Sequence, residues 1–170
     1  MIPVVAGSNP VSHPNFNNCF KYELTFSNYG RIIVYMKLRI NRNKRWWSKK
    51  DQSNIAAAVR YCVIRYGMED LTLSVKLGKE NTLYDGLSDT KDDGGYKVWI
   101  YPNKHELQTV FHEMTHIKQF YYGELDMLGS VPKWMGKKCG KSYAKCPWEK
   151  EANKMEEVLL KEFLDIQLNS

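Results

Sequence analysis

Between His112 and His116 the chain reads His-Glu-Met-Thr-His, two imidazoles flanking a carboxylate. On an α-helix, residues four apart are separated by about 400° of rotation and ~6 Å of rise, so the two histidines lie one turn apart on the same face. At that spacing both imidazoles can reach a single Zn²⁺ at ~2.0–2.1 Å. Glu113, beside the first histidine, projects near the same point and can hold a water as its general base. Helical spacing also sorts the neighbours. Leu107, Val110, Met114 and Ile117 form an apolar stripe for the core, while His112 and His116 fall on another side with His105, Gln108, Gln119 and Phe120. The histidines are therefore expected on a polar face that floors a cleft.

A zinc hydrolase takes three protein ligands and leaves the fourth position to water. No histidine follows His116, so the third ligand is expected to be a carboxylate, with a cysteine or an upstream residue less favoured. Glu149 and Glu151 are the candidates, in the run Cys146-Pro-Trp-Glu-Lys-Glu-Ala-Asn153 at the start of a helix. Standing alone they would be ordinary acids in a helix's first turn; the upstream motif gives them another use. Glu149 is preferred, with room in the intervening chain for a loop that returns to the histidines, and Glu151 stays open. Glu149 and Asn153 are four apart and share a face, so one can ligate while the other hydrogen-bonds a ligand imidazole and fixes its tautomer.

His112-Glu-x-x-His116 on one helix with Glu149-Lys-Glu-Ala-Asn153 on the next resembles the gluzincin metallopeptidases. It is particularly similar to the small ImmA/IrrE-like and putative phage metallopeptidases, whose second helix reads Glu-x-Glu-Ala-Asn/Asp. Gln119, Gly123, Trp134, Gly136 and Tyr143 add to the likeness, which covers roughly residues 96–160; Asn153 stands where many gluzincins have Asp. The resemblance implies a zincin-like fold: a small twisted mixed sheet packed on the active-site helix, with a second, ligand-bearing C-terminal helix. It also implies an edge strand above the cleft, here Tyr96 to Tyr101, whose backbone could accept an extended peptide by strand addition. The implied activity is zinc-dependent hydrolysis of a peptide or protein substrate. Glu113 would pass the water's proton to the leaving amine, and Tyr143 is a candidate donor to the oxyanion. Two other readings stand beside this one, a nucleic-acid-associated module or a virion or assembly protein, each retaining the scaffold around a non-catalytic metal. An intact Glu113 favours the peptidase, because a structural metal needs no general base.

The elements that must position these residues are readable by periodicity. Residues 1–18 hold three of the six prolines and read as an irregular N-terminal arm. Lys21 to Phe26 and Arg31 to Ile40 alternate as strands around Asn28-Tyr29-Gly30, a hairpin signal. Asp51 to Tyr66 has helical spacing and stops at Gly67; Leu71, Leu73, Val75 and Leu77 line one side of a half-buried strand. Residues 78–95 read as a long polar loop and Tyr96 to Tyr101 as a strand. Asn103, with Glu106 three residues on, is the expected N-cap of the motif helix. Residues 124–146 form a Gly- and Lys-rich connection, and the last helix begins near Pro147. The order predicts one α+β domain over 1–170.

Composition bounds the class. With 43% hydrophobic and 26% charged residues, the chain has the make-up of an ordinary globular domain, not of a disordered or fibrous protein. No apolar run spans a membrane, and the N-terminus lacks the pattern of a signal peptide, so a cytoplasmic protein without an anchor is expected, with virion association as the alternative. Four scattered cysteines form no disulfide framework, and Cys139 and Cys146 are read as two thiols rather than a loop bridge or second metal site. The net charge of +6 is concentrated: seven basic residues and no acid lie from Lys37 to Lys50 around Trp46-Trp47, and five lysines from Lys133 to Lys145. The first stretch is a candidate nucleic-acid contact; its alternative is a solvated loop with both tryptophans tucked against the sheet. Oligomeric state is not legible.

Overall fold

Alternating apolar and polar residues build a five-stranded mixed sheet in the computed structural model of the chain, which describes residues 20–25, 31–68, 70–81, 83–128, 131–139 and 142–169. The N-terminal arm and the turn Asn28-Tyr29-Gly30 lie outside the described residues. The flanking strands β1 (Phe20–Thr25) and β2 (Arg31–Arg42) pair antiparallel, as a hairpin requires. Helix α1 (Lys49–Arg65) then carries the chain across to β3 (Thr72–Leu77), parallel to β2, the crossover that parallel strands need. Strand β4 (Gly86–Thr90) precedes β5 (Tyr96–Ile100), which pairs parallel to β3 and antiparallel to β4, for a sheet order β1-β2-β3-β5-β4.

Two sequence expectations change here. Residues 86–90 are a strand, although Gly86, Ser88 and Asp89 have little intrinsic preference for one; the β5 ladder supplies what propensity does not. Tyr96–Ile100 is consequently interior, and β4 is the edge. The start of helix α2 (Glu106–Tyr121) also differs. His105 is its N-cap and gives no side-chain cap, while Asn103 accepts from the His105 amide at 2.6 Å and donates to the Thr109 hydroxyl at 3.2 Å, an Asx-type turn that starts two residues earlier. The capping box occurs instead on α1, where Ser48 and Asp51 bond reciprocally at 3.1 and 2.7 Å.

Leu38, Leu73, Val75, Leu77, Val98 and Ile100 bury one face of the sheet beneath α1 and α2. Helix α3 (Pro147–Leu168) opens on Pro147 and lies along α2. Its Phe163 stacks at 5.6 Å on both Phe111 of α2 and Tyr61 of α1, locking the three helices together; burying one such ring contributes ~1.5–3 kcal/mol. The connection between α2 and α3 contains a small antiparallel sheet of β6 (Leu125–Asp126), β7 (Lys133–Trp134) and β8 (Lys137–Lys138), then a 3₁₀ turn at Tyr143–Lys145. Leu125, Cys146 and Trp148 form a second apolar cluster there, which fixes where α3 begins. Among the described residues no helix is long and apolar enough to cross a membrane.

Candidate metal centre

Four-residue spacing on α2 sets the two imidazoles side by side, and the start of α3 delivers a carboxylate to them. His112 Nε2 and His116 Nε2 are 3.2 Å apart, and Glu149 stands 3.2 Å from the latter and 3.5 Å from the former. Glu149 meets them with different oxygens, Oε1 toward His116 and Oε2 toward His112, and one ligand atom from each of the three residues lies within 4.8 Å of the others, close enough for the three to gather round one ion. His116 and Glu149 are buried and His112 is half-buried. Among the described residues, His112, His116 and Glu149 are the one group that could hold a metal ion.

The hydrogen bonds behind the ligands test whether a cation fits. His112 Nδ1 lies 2.8 Å from Glu156 Oε2, and the other oxygen of Glu156 accepts from Gln108 at 2.9 Å. His116 Nδ1 lies 2.8 Å from Gln119 Oε1, while Gln119 Nε2 donates at 3.0 Å to the Trp148 carbonyl and to Glu151. Both Nδ1 atoms therefore face acceptors and carry the protons, and both Nε2 lone pairs point into the space beside Glu149. Glu149 Oε1 is buried there with no hydrogen-bond partner. Two imidazole nitrogens and a buried carboxylate converging on one space are a donor set that could hold a metal ion.

Burial alone would lower the pKa of His112, but the neighbouring carboxylates of Glu149, Glu113 and Glu156 together push it up to about 9. Burial would raise Glu149, yet the two histidines beside it hold it well below the usual carboxylate range. Glu113 is raised, chiefly by burial, with the two histidines and a hydrogen bond from Ser88 opposing.

Ser88 and Gly86 lie on edge strand β4 and cover Glu113. A Cβ at position 86 would stand 2.7 Å from Glu113 Cγ and Oε1 and from Thr109 Cγ2, so only glycine allows the strand to close over the carboxylate. The face expected to floor an open cleft is thus partly roofed: Glu113, His116 and Gln119 are all buried, between β4 on one side and α3 on the other.

The structure brings together His112, Glu113, His116 and Glu149. It separates Glu151, whose carboxylate takes Gln119 and, at 3.0 Å, Lys118. Asn153 is exposed, a correction to its expected place behind a ligand imidazole. Glu156 fills that place. A seven-residue step turns the helix by about −20° whereas four residues turn it by about +40°, so Glu156 stays on the Glu149 face and Asn153 leaves it. Seven-residue spacing from Glu149 is the signal for Glu156, and three-residue spacing from His116 is the signal for Gln119. Tyr143 presents a largely exposed ring edge-on to Trp148, and its hydroxyl end reaches Glu149; desolvation first, then that hydrogen bond, raise the phenol's pKa. Cys139 and Cys146 bring their sulfurs to 3.2 Å as two thiols.

Gln119→Ala removes the acceptor that fixes the His116 tautomer without touching a ligand. Metal affinity is expected to fall by ~10–100-fold in a chelator competition. An unchanged affinity would mean that Gln119 does not orient His116.

Compared with known proteins, the chain matches no family model, no curated sequence and no solved structure.

Proposed function

We propose that this protein is a zinc-dependent peptidase with a zincin-like fold. The observation that carries the proposal is the buried Glu113 carboxylate beside the converging donors of His112, His116 and Glu149. Two imidazoles and one carboxylate favour zinc over the harder, six-coordinate cations. His112, His116 and Glu149 would hold the ion, whose chemistry is to make a coordinated water acidic and to polarise a carbonyl. Glu113 takes the proton from the attacking water and hands it to the departing amine. Tyr143, with its hydroxyl at Glu149, is positioned to donate to the substrate oxygen as charge builds there.

A mixed sheet whose antiparallel edge strand crosses the motif helix supports the zincin reading. The expected peptide-binding edge moves from Tyr96–Ile100 to β4, whose outer backbone pairs with no other described strand. An extended substrate adding to β4 would run past Ser88 and over Glu113.

The test is cleavage of a proteome-derived peptide library by purified protein carrying a measured zinc content. Hydrolysis is expected with about one zinc per chain, lost on removing zinc with a chelator and restored by adding it back. Hydrolysis that survives complete removal, or none by the zinc-loaded protein, would overturn the proposal.

A further inference from the structure

The sheet has a second face. In β2, β3 and β5 the residues alternating with the buried core point away from the helices. They align in two rows by register: Arg39, Ser74 and Lys97 in one, continued by Asp89 of β4 beside Lys97, and Asn41, Lys76 and Trp99 in the next, continued by Leu87. Arg39, Asn41 and Lys76 are exposed, and Ser74, Lys97 and Trp99 are half-buried, so among the described residues this face is open. Each basic side chain stands next to a polar or aromatic one, and Lys97 Nζ lies 4.0 Å from the centroid of the Trp99 ring.

Strand β2 leads from this face into a basic loop. Its end is tied to β3 by the Asn43 amide on the Leu77 carbonyl at 2.9 Å. There the two tryptophans, adjacent in sequence, have opposite fates. Trp47 is buried and donates to the Gly78 carbonyl at 2.6 Å, a structural role. Trp46 is 41% exposed, with the Arg45 guanidinium 5.8 Å from its ring centroid. Lys44, Arg45, Lys49 and Lys50 around it are exposed, and no acid occurs between Arg39 and Lys50. The next acid, Asp51, is engaged by Ser48.

We infer that the open sheet face and the Trp46 loop form one binding surface for single-stranded nucleic acid. Two features select this occupant. The positive charge of Arg39, Lys76 and the loop, which Asp89 offsets only beside Lys97, complements a linear polyanion. The exposed Trp46 and the half-buried Trp99, each with a cation near its ring, offer aromatic surface on which unpaired bases can stack; bases stacked within a duplex cannot. An acidic polypeptide would use the charge and leave the rings idle, and an anionic membrane would call for apolar insertion that a polar sheet face lacks. The inference does not rest on the peptidase reading, because the metal centre lies among α2, α3 and β4 on the helical side of the sheet.

The test uses the full chain and a labelled oligothymidylate of about 20 nucleotides, followed by anisotropy and tryptophan quenching at about 50 mM salt and above. Binding is expected to weaken steeply with salt, with a log–log slope of about −3 if roughly four phosphates are neutralised. Trp46→Ala and Trp99→Ala should each weaken it about tenfold, and Lys76→Glu should flatten the salt slope. Circular dichroism and unchanged metal binding certify that each variant is folded. No salt-dependent binding, affinity indifferent to both tryptophan substitutions, or equal binding of duplex, polyglutamate or anionic vesicles would each overturn the inference.

Discussion

Glu113→Gln is expected to keep its metal and lose hydrolysis by on the order of 10³-fold or more. The substitution is nearly isosteric, and Gln can still occupy the slot beneath Gly86 and bond to Ser88, so the fold and the donor set of His112, His116 and Glu149 should persist. What disappears is the only function that the proposed reaction asks of this side chain, which is to take a proton from water and return it to the amine. An amide cannot do that at any pH near neutrality. The readouts are metal content per chain and turnover of whichever peptide the wild type cleaves best. Retained metal with lost turnover assigns Glu113 as the base. Retained turnover would end the peptidase reading, and loss of the metal would make Glu113 part of the metal site's scaffold.

The second large effect separates Glu149 from Glu151, which the sequence leaves as rivals. Glu149→Ala removes one of three donors and should cost more metal affinity than the ~10–100-fold typical of losing a group behind a ligand. Glu151→Ala touches only Gln119 and Lys118, so its loss should fall within that smaller range. Thermal melts report the same difference. At a thousandfold excess over the dissociation constant a bound ion adds ~4 kcal/mol, or roughly 10 °C for a domain of this size. The wild type and Glu151→Ala are expected to show most of that gain on adding zinc, and Glu149→Ala little. Equal gains in all three would remove Glu149 from the ligand set.

Legibility was highest where chemistry depends on local spacing. His112, Glu113 and His116 needed only the pitch of a helix, and the core-facing stripes of β3 and α2 needed only periods of two and three and a half. It was lowest where function depends on how elements meet. Strand β4 had no pattern of its own, because its Gly86 exists for a close approach to Glu113 and its pairing exists because of β5. The choice between Glu149 and Glu151 turned on the direction from which α3 crosses α2, set by Phe163 at one end and the Leu125–Cys146–Trp148 cluster at the other. Asn153 is exposed for the same reason: the buried side of α3 runs through Trp148, Glu149, Ala152, Leu159 and Phe163, and a four-residue step from Glu149 falls just outside it. Trp46 and Trp47 are indistinguishable in sequence, and only the Gly78 carbonyl decides which one is buried.

The sequence by itself determined the chemistry available to this protein, a pair of imidazoles with a carboxylate between them and acids downstream, because helical geometry is local and the same wherever it occurs. The tertiary structure alone decided which acid stands beside the two imidazoles, which residues accept from their outer nitrogens, and which strand roofs Glu113. Those are contacts between residues far apart in the chain, and they depend on packing that no local spacing encodes.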